Sequence, residues 1–529
     1  MRKRHFNTAG PIKPEKNYAI PPLCRVDLEE ILELIDQEKY FVLHAPRQTG
    51  KTSLLRTLMD YLNNAGAYRS LYFNVEMGQA ARENVTAAVQ SILSELTSRA
   101  KYDLNDLYPR SIKDDILQKE GGVAALNQLL TDWAVESDKP LVLFIDEIDS
   151  LVGDTLLSVL RQLRAGYDKR PDAFPQSIIL CGVRDIRDYR IVASSEKEPV
   201  TGGSAFNIKV KSLRLGDFDQ DETRQLYRQH TDDTGQVFTE DALERLWTLS
   251  QGQPWLVNAL GREVTHEMRE NRDRTVAITV DMVETAKEQL ILRRDTHLDQ
   301  LLHKLEEPRV QRVIEPLLSG SESPDNVAPD DLKYVRDLGL IKATGKEIAI
   351  ANPIYQEVIP RELTYVTQLK INHDSAWYVD EQNRFDMHKM LLAFQQFFRE
   401  HSEHWVERFQ YKEAGPQLLM QAFLQRVING GGQVHREYGQ GKKRTDLLVT
   451  WPTEDGSAQR FVIELKILYN SLEKTIEEGL PQTWKYMDIG NADEGHLIIF
   501  DRSADKPWGE KIWTQTETYQ DTEIMVWGM

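Results

Sequence analysis

The sequence predicts an α/β protein with a parallel sheet, a helical region after it, and a second, smaller α/β domain. The first part alternates helical patterns with short apolar runs at residues 40–45, 70–75, 141–146 and 177–183. This alternation is typical of parallel strands joined by crossover helices. Between residues 216 and 298, apolar positions recur at spacings of three and four, which indicates amphipathic helices. After residue 414 the predicted order is helix, three strands, helix and strand.

The composition excludes several classes of protein. The 529 residues carry a net charge of −18, which argues against a protein that coats nucleic acid through a general surface of Lys and Arg. No apolar run approaches the roughly 18 residues that span a bilayer, so we expect no membrane association. The only cysteines are Cys24 and Cys181, too few for a disulfide framework or a thiolate zinc site. The basic N-terminus has no apolar stretch behind it, so we expect a cytoplasmic protein.

A Gly-Lys-Thr sequence lies where the first apolar run gives way to a helical pattern. It ends a segment with the form of a Walker A loop, in which alanine replaces the first glycine. In such a loop, backbone N–H groups and the helix N-terminus bind phosphate oxygens. Lys51 would reach the β- and γ-phosphates of ATP and Thr52 would bind Mg²⁺. The predicted nucleotide-binding residues of the loop are Ala45, Pro46, Arg47, Gln48, Thr49, Gly50, Lys51 and Thr52.

Two adjacent carboxylates, Asp146 and Glu147, end the third apolar run. This is typical of a Walker B strand, in which Asp146 would hold the Mg²⁺ shell and Glu147 would orient and deprotonate the attacking water. Two carboxylates after a strand can also cap a helix, but the Walker A loop favours the catalytic interpretation. Arg184 follows the next apolar run, where an arginine suits phosphate sensing. A surface salt bridge is the alternative for Arg184.

A second group of charged residues lies near the C-terminus, with the spacing Asp-x17-Glu-x-Lys. Glu464 and Lys466 would share one face of a strand, and Asp446 on the neighbouring strand could point to the same place. Two carboxylates there would bind Mg²⁺ or Mn²⁺ beside a scissile phosphate, and the lysine would orient water. The alternative is an edge strand with a solvated face. The basic turn 442–444 could meet the phosphate backbone of DNA or be a solvated hairpin tip.

The first part of the chain, roughly residues 5–365, resembles bacterial AAA-like ATPases related to STAND and origin-recognition ATPases. The residues that carry this resemblance are FNTAGPI, Arg25, the loop and strand motifs above, GVRDIRDY, SAFNI and GQPWLVNAL. Gly252 and Pro254 resemble the lid signature whose backbone touches nucleotide. The resemblance implies ATP binding in a cleft between core, lid and winged helix, with slow hydrolysis acting as a switch. We find no arginine placed to act in trans, so a ring-forming motor is less favoured, although a homo-oligomer stays open.

The last part of the chain, roughly residues 414–529, resembles PD-(D/E)XK nucleases. The order of elements matches, and Gln482 and Tyr486 are spaced like the QxxxY feature of many such enzymes. The acid that often lies on the family's first helix is replaced by glutamines. Glu437 could substitute for it or pair with a basic neighbour.

Together these features predict six segments. They are an N-terminal extension (1–20), a P-loop AAA+ core (21–215), a helical lid (216–298), a winged helix (299–365), a helical connector (366–413) and a nuclease-like domain (414–529). The leading hypothesis is an ATP-regulated, metal-dependent nuclease that acts on DNA; the family resemblance suggests defence or mobile-element maintenance as its setting. The alternative is a signalling or scaffold switch whose C-terminal domain binds without cutting.

Overall fold

A computed structural model gives the fold for most of the chain. It describes residues 4–185, 190–191, 200–201, 206–293, 297–298, 303–318, 327–344, 347–363, 378–380, 382–408, 418–421, 423–424, 432–438, 445–453, 456–468, 471–501, 503 and 506–529. The chain packs as two compact units. The first comprises Met1–Leu301 and Leu332–Lys342, and the second comprises Leu302–Asp331 and Ala343–Met529.

A five-stranded, all-parallel sheet lies at the centre of the first unit. The strands of this unit are β1 (Tyr40–His44), β2 (Arg69–Asn74), β3 (Leu141–Asp146), β4 (Ser177–Gly182), β5 (Arg190–Ile191), β6 (Val200–Thr201) and β7 (Lys209–Arg214). The order in the large sheet is β2-β3-β4-β1-β7, and β5 and β6 form a separate antiparallel pair. The predicted parallel sheet is therefore confirmed, with β7 as an edge strand that the sequence did not predict.

Helices cover both faces of this sheet. They are α1 (Leu28–Asp36), α2 (Lys51–Ala65), α3 (Val85–Leu104), α4 (Tyr108–Glu120), α5 (Ala125–Glu136) and α6 (Gly153–Ala165). In β1, Phe41 and Leu43 pack with α1 and α2, while Tyr40 and Val42 pack with the core on the opposite face. Each such side chain stabilises the fold by about 1.5–3 kcal/mol on burial. Because both faces are covered, the inner strands are continuous apolar runs, as the sequence showed.

Four helices follow the sheet, in the segment predicted to be a lid. They are α7 (Gln220–Thr234), α8 (Glu240–Ser250), α9 (Pro254–Arg262) and α10 (Val280–Arg293). Asp219 and Glu222 form a reciprocal capping box that begins α7. The Gln253 side chain accepts from the N–H of Leu256, and Pro254 occupies the first turn of α9, where its missing N–H costs nothing.

The N-terminal segment packs along the lid helices. The Arg4 guanidinium pairs with Asp233 at 2.8 Å. Phe6 is buried among Tyr18, Tyr227 and His230. Residues 4–20 are called the N-terminal strap below. Further contacts join this strap to the lid and to α2, the helix that follows the phosphate loop. Residues 4–20 are therefore an integral part of the first unit.

A helix, helix, hairpin and helix follow the lid in the chain. They are α11 (Pro308–Leu318), α12 (Pro329–Asp337), β8 (Ile341–Thr344), β9 (Glu347–Ile350) and α13 (Pro353–Leu363). The strands β8 and β9 form a two-stranded sheet. This order is the one that the winged-helix prediction requires. Within the segment, however, Leu332–Lys342 packs with the first unit, so the winged helix stays a prediction.

A six-stranded mixed sheet forms the centre of the second unit. Its elements are α14 (Met387–Arg408), β10 (Gln433–Tyr438), β11 (Thr445–Pro452), β12 (Ala458–Ile467), α15 (Leu472–Gly490), β13 (Glu494–Phe500), α16 (Trp508–Lys511), β14 (Trp513–Tyr519) and β15 (Thr522–Gly528). The strand order is β10-β11-β12-β13-β15-β14. Strands β12, β13 and β15 are parallel, and the outer pairs are antiparallel. The hairpin of β14 and β15 was not predicted.

The two faces of the second sheet are packed differently. On one face, Phe461 and Ile463 of β12 join a core with Phe394 and Phe398 of α14, a helix within the segment expected to be a connector. On the other face, Val462 packs beneath α15 with further apolar residues of that helix. Because strand side chains alternate, Glu464 and Lys466 lie on the α15 face.

Gly252 should be required for the turn before α9 to pack against Phe218 at the start of the lid segment. Its φ is +75°, and a Cβ there would lie 1.9 Å from the carbonyl oxygen of Phe218. Gly252→Ala should therefore lower the free energy of unfolding by roughly 2–4 kcal/mol, through left-handed strain and a backbone clash. Gly216→Ala is the control, because a Cβ at Gly216 would meet open space. Equal denaturation midpoints for the two variants would contradict this account.

Candidate functional site

A cavity of about 580 Å³ lies in the first unit at the carboxyl ends of the central strands. Its volume is within the range of small-molecule sites, roughly 300–1,000 Å³. The phosphate loop and Glu147 form part of its wall. The remaining wall is formed by N-terminal residues 7–12, by Tyr72 and neighbouring residues of the sheet edge, and by residues at the start of α9.

The phosphate loop has the backbone that its sequence predicts. Gly50 begins α2 with a φ of 95°, and a Cβ there would lie 2.8 Å from a guanidinium nitrogen of Arg25. The buried Lys51 ammonium donates to the carbonyls of Ala45 and Pro46, both at 2.9 Å. These two bonds hold the lysine over the loop and leave one of its three donors for a ligand. Thr49 Oγ1 closes the loop by donating to the Pro46 carbonyl at 2.9 Å.

The Asp146 carboxylate is fully buried and receives hydrogen bonds from three elements. Thr52 Oγ1 of α2 donates to Oδ2 at 2.7 Å, and the Tyr72 hydroxyl of β2 donates to the same oxygen at 3.0 Å. The backbone N–H of Glu147 donates to Oδ1 at 3.0 Å. The thiol of Cys181 lies close by, and burial, followed by the charge of Asp146, raises its pKa well above the ordinary value. The Walker A threonine and the Walker B aspartate are thus brought together as predicted.

Glu147 faces the cavity with an unusual backbone. Its φ of 57° lies in the left-handed region, which a non-glycine residue occupies at a cost and which is frequent at functional sites. Burial raises the pKa of its carboxyl, and the charge of Asp149 acts in the same direction. The nearby Lys51 cation opposes this shift. A carboxylate with a raised pKa beside the phosphate loop suits a general base.

The donor set at this point fits Mg²⁺. Hard cations take oxygen ligands, and Mg²⁺ commonly uses only one or two protein groups together with substrate phosphates. Thr52 lines the cavity, and its hydroxyl bonds the buried carboxylate of Asp146, so the two supply oxygens side by side. Among the described residues, no cluster of three or more His, Cys, Asp or Glu side chains could hold a metal ion.

Arg184 lies away from the cavity wall. Its guanidinium is 4.7 Å from the ring centroid of Tyr334, and its Nε is 3.9 Å from a carboxylate oxygen of the buried Asp337. Arg184 therefore has a carboxylate within ion-pair distance, in a buried setting and not in the surface setting of the alternative. Arg184 is not among the residues that line the cavity, and phosphate sensing by Arg184 stays a prediction.

In the Gly252-Gln-Pro254 turn, which was predicted to contact nucleotide, the two named residues have different surroundings. Gly252 has no side chain and packs against Phe218. The N–H of Phe218 donates to the Gly252 carbonyl at 2.8 Å. Pro254 lines the cavity. The turn therefore sets the position of α9, and Pro254 is the residue that would lie near a ligand.

Sequence reasoning missed two parts of the wall. Asn7 N–H donates to Asn258 Oδ1 at 3.2 Å, and Ile12 N–H donates to Ser53 Oγ at 3.0 Å, so the N-terminal segment links lid and phosphate-loop helix. Arg25 donates to the carbonyls of Thr49 at 2.7 Å and Gly216 at 2.6 Å. Burial lowers its pKa to about 10. In the sequence, only the family resemblance of the FNTAGPI segment and Arg25 pointed to these two parts of the wall, and it suggested no chemistry for them.

The second unit brings Glu464 and Lys466 together. The Lys466 ammonium donates to Glu464 Oε1 at 2.8 Å and to Gln482 Oε1 of α15 at 2.6 Å. Glu464 is buried, and Tyr486 lies one turn after Gln482 on the same helix. The predicted strand phase of the Glu-x-Lys pair and the involvement of the helix glutamine agree with this geometry.

Other predicted residues of this site fall outside the described structure. Asp446 lies in β11, but its side chain is not described, and the same holds for Glu437 in β10. The basic turn 442–444 lies wholly outside the described residues. The convergence of Asp446 with Glu464 therefore stays a prediction.

The first unit combines a parallel α/β sheet with a Walker A loop, a Walker B strand and a helical lid, which defines a P-loop ATPase of the AAA+ type. Residues 25–360 match the model of the AAA-like domain family. Because the match spans more than half of the chain, the protein belongs to the AAA-like family. No curated protein matches the chain at a significant level.

Solved structures with similar folds include three prokaryotic proteins. A Walker-type ATPase of Pyrococcus abyssi is 16% identical with a TM-score of 0.44, and covers 67% of this chain and 99% of its own. The Aeropyrum pernix ORC2 protein is 17% identical with a TM-score of 0.41, at coverages of 66% and 96%. The RuvB Holliday junction branch migration motor of Thermotoga maritima is 15% identical with a TM-score of 0.34, at coverages of 63% and 95%. At these levels the likenesses add nothing to the family match.

Across the described helices, none combines the length and apolar character needed to cross a bilayer.

Removing the lysine of the phosphate loop should abolish nucleotide binding. Lys51 is the only lysine of the phosphate loop. Lys51→Ala therefore removes the positive charge that would bind the phosphates. Calorimetry should then detect no ATP binding, whereas Lys119→Ala, which removes an exposed lysine from α4, should bind like the parent protein. Parental ATP affinity in the Lys51 variant would refute the assignment of the site.

Proposed function

We propose that the chain binds ATP with Mg²⁺ in the cavity of the first unit and hydrolyses it slowly, as a conformational switch. The observation that carries this proposal is that Lys51, Thr52 and Glu147 line one cavity while the buried Asp146 carboxylate bonds the Thr52 hydroxyl and the Glu147 N–H. Membership of the AAA-like family supports the same activity.

Each group has a separate role in this proposal. Lys51 neutralises charge on the β- and γ-phosphates while the backbone N–H groups at the start of α2 bind phosphate oxygens. Thr52 and Asp146 hold the cation, which when bound neutralises charge that develops on the phosphates. Glu147 accepts a proton from the attacking water and orients it toward the terminal phosphate. Pro254 and the N-terminal segment line the cavity beside the phosphate loop and limit access of bulk water.

We further propose that the second unit is a metal-dependent nuclease that acts on DNA. Support comes from the Glu464, Lys466 and Gln482 contacts, which join a carboxylate and an ammonium to a glutamine in the middle of α15. The register of β11 and β12 pairs Leu447 with Ile463. The nuclease proposal requires Asp446, the residue before Leu447, to lie on the same face as Glu464.

The chemistry of this site follows from its charges. Two carboxylates, Asp446 and Glu464, would hold Mg²⁺ or Mn²⁺, which lowers the pKa of bound water and stabilises charge on the scissile phosphate. A bound cation would compete with the Lys466 ammonium for Glu464. Lys466 would then orient the metal-bound water. Regulation of cutting by the ATP state is proposed because both sites belong to one chain.

The proton acceptor should separate binding from hydrolysis. Glu147→Gln keeps the shape and size of the side chain but cannot accept the proton, so ATP should bind with parental affinity and turnover should fall by roughly 10²–10⁴-fold. Glu136→Gln, an exposed change of the same kind on α5, should leave turnover intact. Because the pKa of Glu147 is raised, the parent should lose turnover on acidification at a higher pH than an ordinary glutamate would allow. Parental turnover in Glu147→Gln would exclude this base.

The nuclease proposal is tested best with an isosteric variant. Glu464 is buried beside the half-buried Lys466, so truncation to alanine would remove volume from the core as well as the carboxylate that pairs with the lysine. Glu464→Gln avoids this loss of volume and should abolish Mg²⁺- or Mn²⁺-dependent cleavage while the melting temperature changes little. Glu477→Gln, on the exposed side of α15, is the control.

The cleavage assay should use supercoiled, linear and single-stranded DNA with the full chain, with and without ATP. Cleavage by the parent protein and by Glu477→Gln, lost in Glu464→Gln, supports a nuclease. If the parent cuts no DNA with either metal in any nucleotide state, the nuclease proposal is wrong and a non-cleaving binding domain replaces it.

A further inference from the structure

Tyr72 occupies a position that the ATP-site motifs do not include. It lies in β2, next to β3 in the sheet, and its register partner is Phe144. The ring is buried beneath α2, and the hydroxyl donates to Asp146 Oδ2 at 3.0 Å. A buried phenol usually has one hydrogen-bond partner, and here that partner is the carboxylate predicted to hold the cation.

The two hydroxyl donors to Asp146 Oδ2 are not equivalent. Thr52 Oγ1 is itself an expected ligand of the cation, so its bond to Asp146 is the one that must adjust when a cation enters. Tyr72 is not an expected ligand. Its hydroxyl can therefore keep the carboxylate in place throughout, as residues that hold a metal ligand from behind commonly do.

Two arginines flank the Tyr72 ring. The guanidinium carbon of Arg56 lies 5.6 Å from the ring centroid, and that of Arg99 lies 5.9 Å from it. Both distances are within the range of cation–π contacts, and both arginines line the cavity. Arg99 is fixed by Glu95, one turn earlier on α3, at 2.8 Å.

These cations favour the hydrogen bond that Tyr72 makes. Positive charge beside a phenol polarises its O–H bond, so the hydroxyl becomes a stronger donor to a carboxylate. Both guanidinium groups lie against the Tyr72 ring, so they act on the phenol that donates to Asp146. Arg56 lies one turn after Thr52 on α2, so ring, threonine and aspartate are assembled from α2, β2 and β3 together.

We propose that Tyr72 is a positioning residue for the metal site: its hydroxyl, polarised by Arg56 and Arg99, fixes the Asp146 carboxylate for the cation that accompanies ATP. This inference rests on the proposed ATP-binding function. It assigns a role to a residue that otherwise reads as part of the apolar core, and it predicts an effect on Mg²⁺ rather than on the nucleotide itself.

The test is Tyr72→Phe in the full chain, which removes one hydroxyl and keeps the ring between the arginines. ATP binding is measured by calorimetry in EDTA, and the Mg²⁺ concentration for half-maximal enhancement of binding is measured by titration. Affinity in EDTA should match the parent protein, while the Mg²⁺ midpoint should rise about 10- to 100-fold, the usual effect of losing a group that orients a metal ligand.

Tyr40→Phe is the matched control. Tyr40 is buried in β1 of the same sheet, and its hydroxyl donates to the Pro175 carbonyl at 2.9 Å. The same chemical change there should lower the melting temperature through the lost hydrogen bond but leave the Mg²⁺ midpoint at the parental value. A general loss of stability is thereby separated from a specific loss of metal affinity.

The outcomes distinguish the inference from the function beneath it. A raised midpoint in Tyr72→Phe alone supports the inference. An unchanged midpoint in Tyr72→Phe, or an equal rise in Tyr72→Phe and Tyr40→Phe, overturns it while leaving Mg²⁺-dependent ATP binding in place. If the parent protein shows no Mg²⁺-dependent binding, the proposed function itself fails and the inference falls with it.

Discussion

The buried carboxylate of Asp146 is the group on which the first unit's site depends. Removing a charge from water costs several kcal/mol even after relaxation, so the fold must surround this group with donors. The Thr52 hydroxyl, the Tyr72 hydroxyl and the Glu147 N–H meet that need from three elements. Their convergence follows from the strand order β2-β3-β4-β1, which sets β2 beside β3 and brings the helix after β1 across the sheet. Donors that stabilise the apo carboxylate also orient it for a cation.

Segments distant in sequence complete the cavity around this carboxylate. The N-terminal strap is anchored on the lid by Phe6, against which any side chain at Gly261 would clash, and it reaches the phosphate-loop helix through Ser53. Arg25 joins the loop to the root of the lid through two backbone carbonyls. The phosphate loop and the lid are therefore joined by direct hydrogen bonds.

The sequence predicted those elements that have a strong hydrophobic signal. Strands β1, β2, β3 and β4 of the first sheet and the strands containing Leu447 and Ile463 are apolar because both faces are covered. Strands β7 and β14 were missed because they carry polar residues on both faces, so no alternation marks them, and the apolar β15 was missed together with its hairpin partner β14. Motif spacing placed Thr52 beside Asp146 correctly, yet Tyr72 read as an ordinary core residue, because only the pairing of β2 with β3 reveals its partner. Arg184 was predicted to sense phosphate from its position after a strand. Its contact with Tyr334 could not be predicted, because Tyr334 lies on a helix about 150 residues later and no local pattern encodes such a contact.

The most direct test of this account is a crystal structure of the full chain with a non-hydrolysable ATP analogue and Mn²⁺, read by anomalous scattering. The account predicts an anomalous peak between the phosphates and the oxygens of Thr52 and Asp146, with Lys51 on the β- and γ-phosphates. Nucleotide bound elsewhere, or bound in the cavity with the cation remote from Asp146, would contradict it.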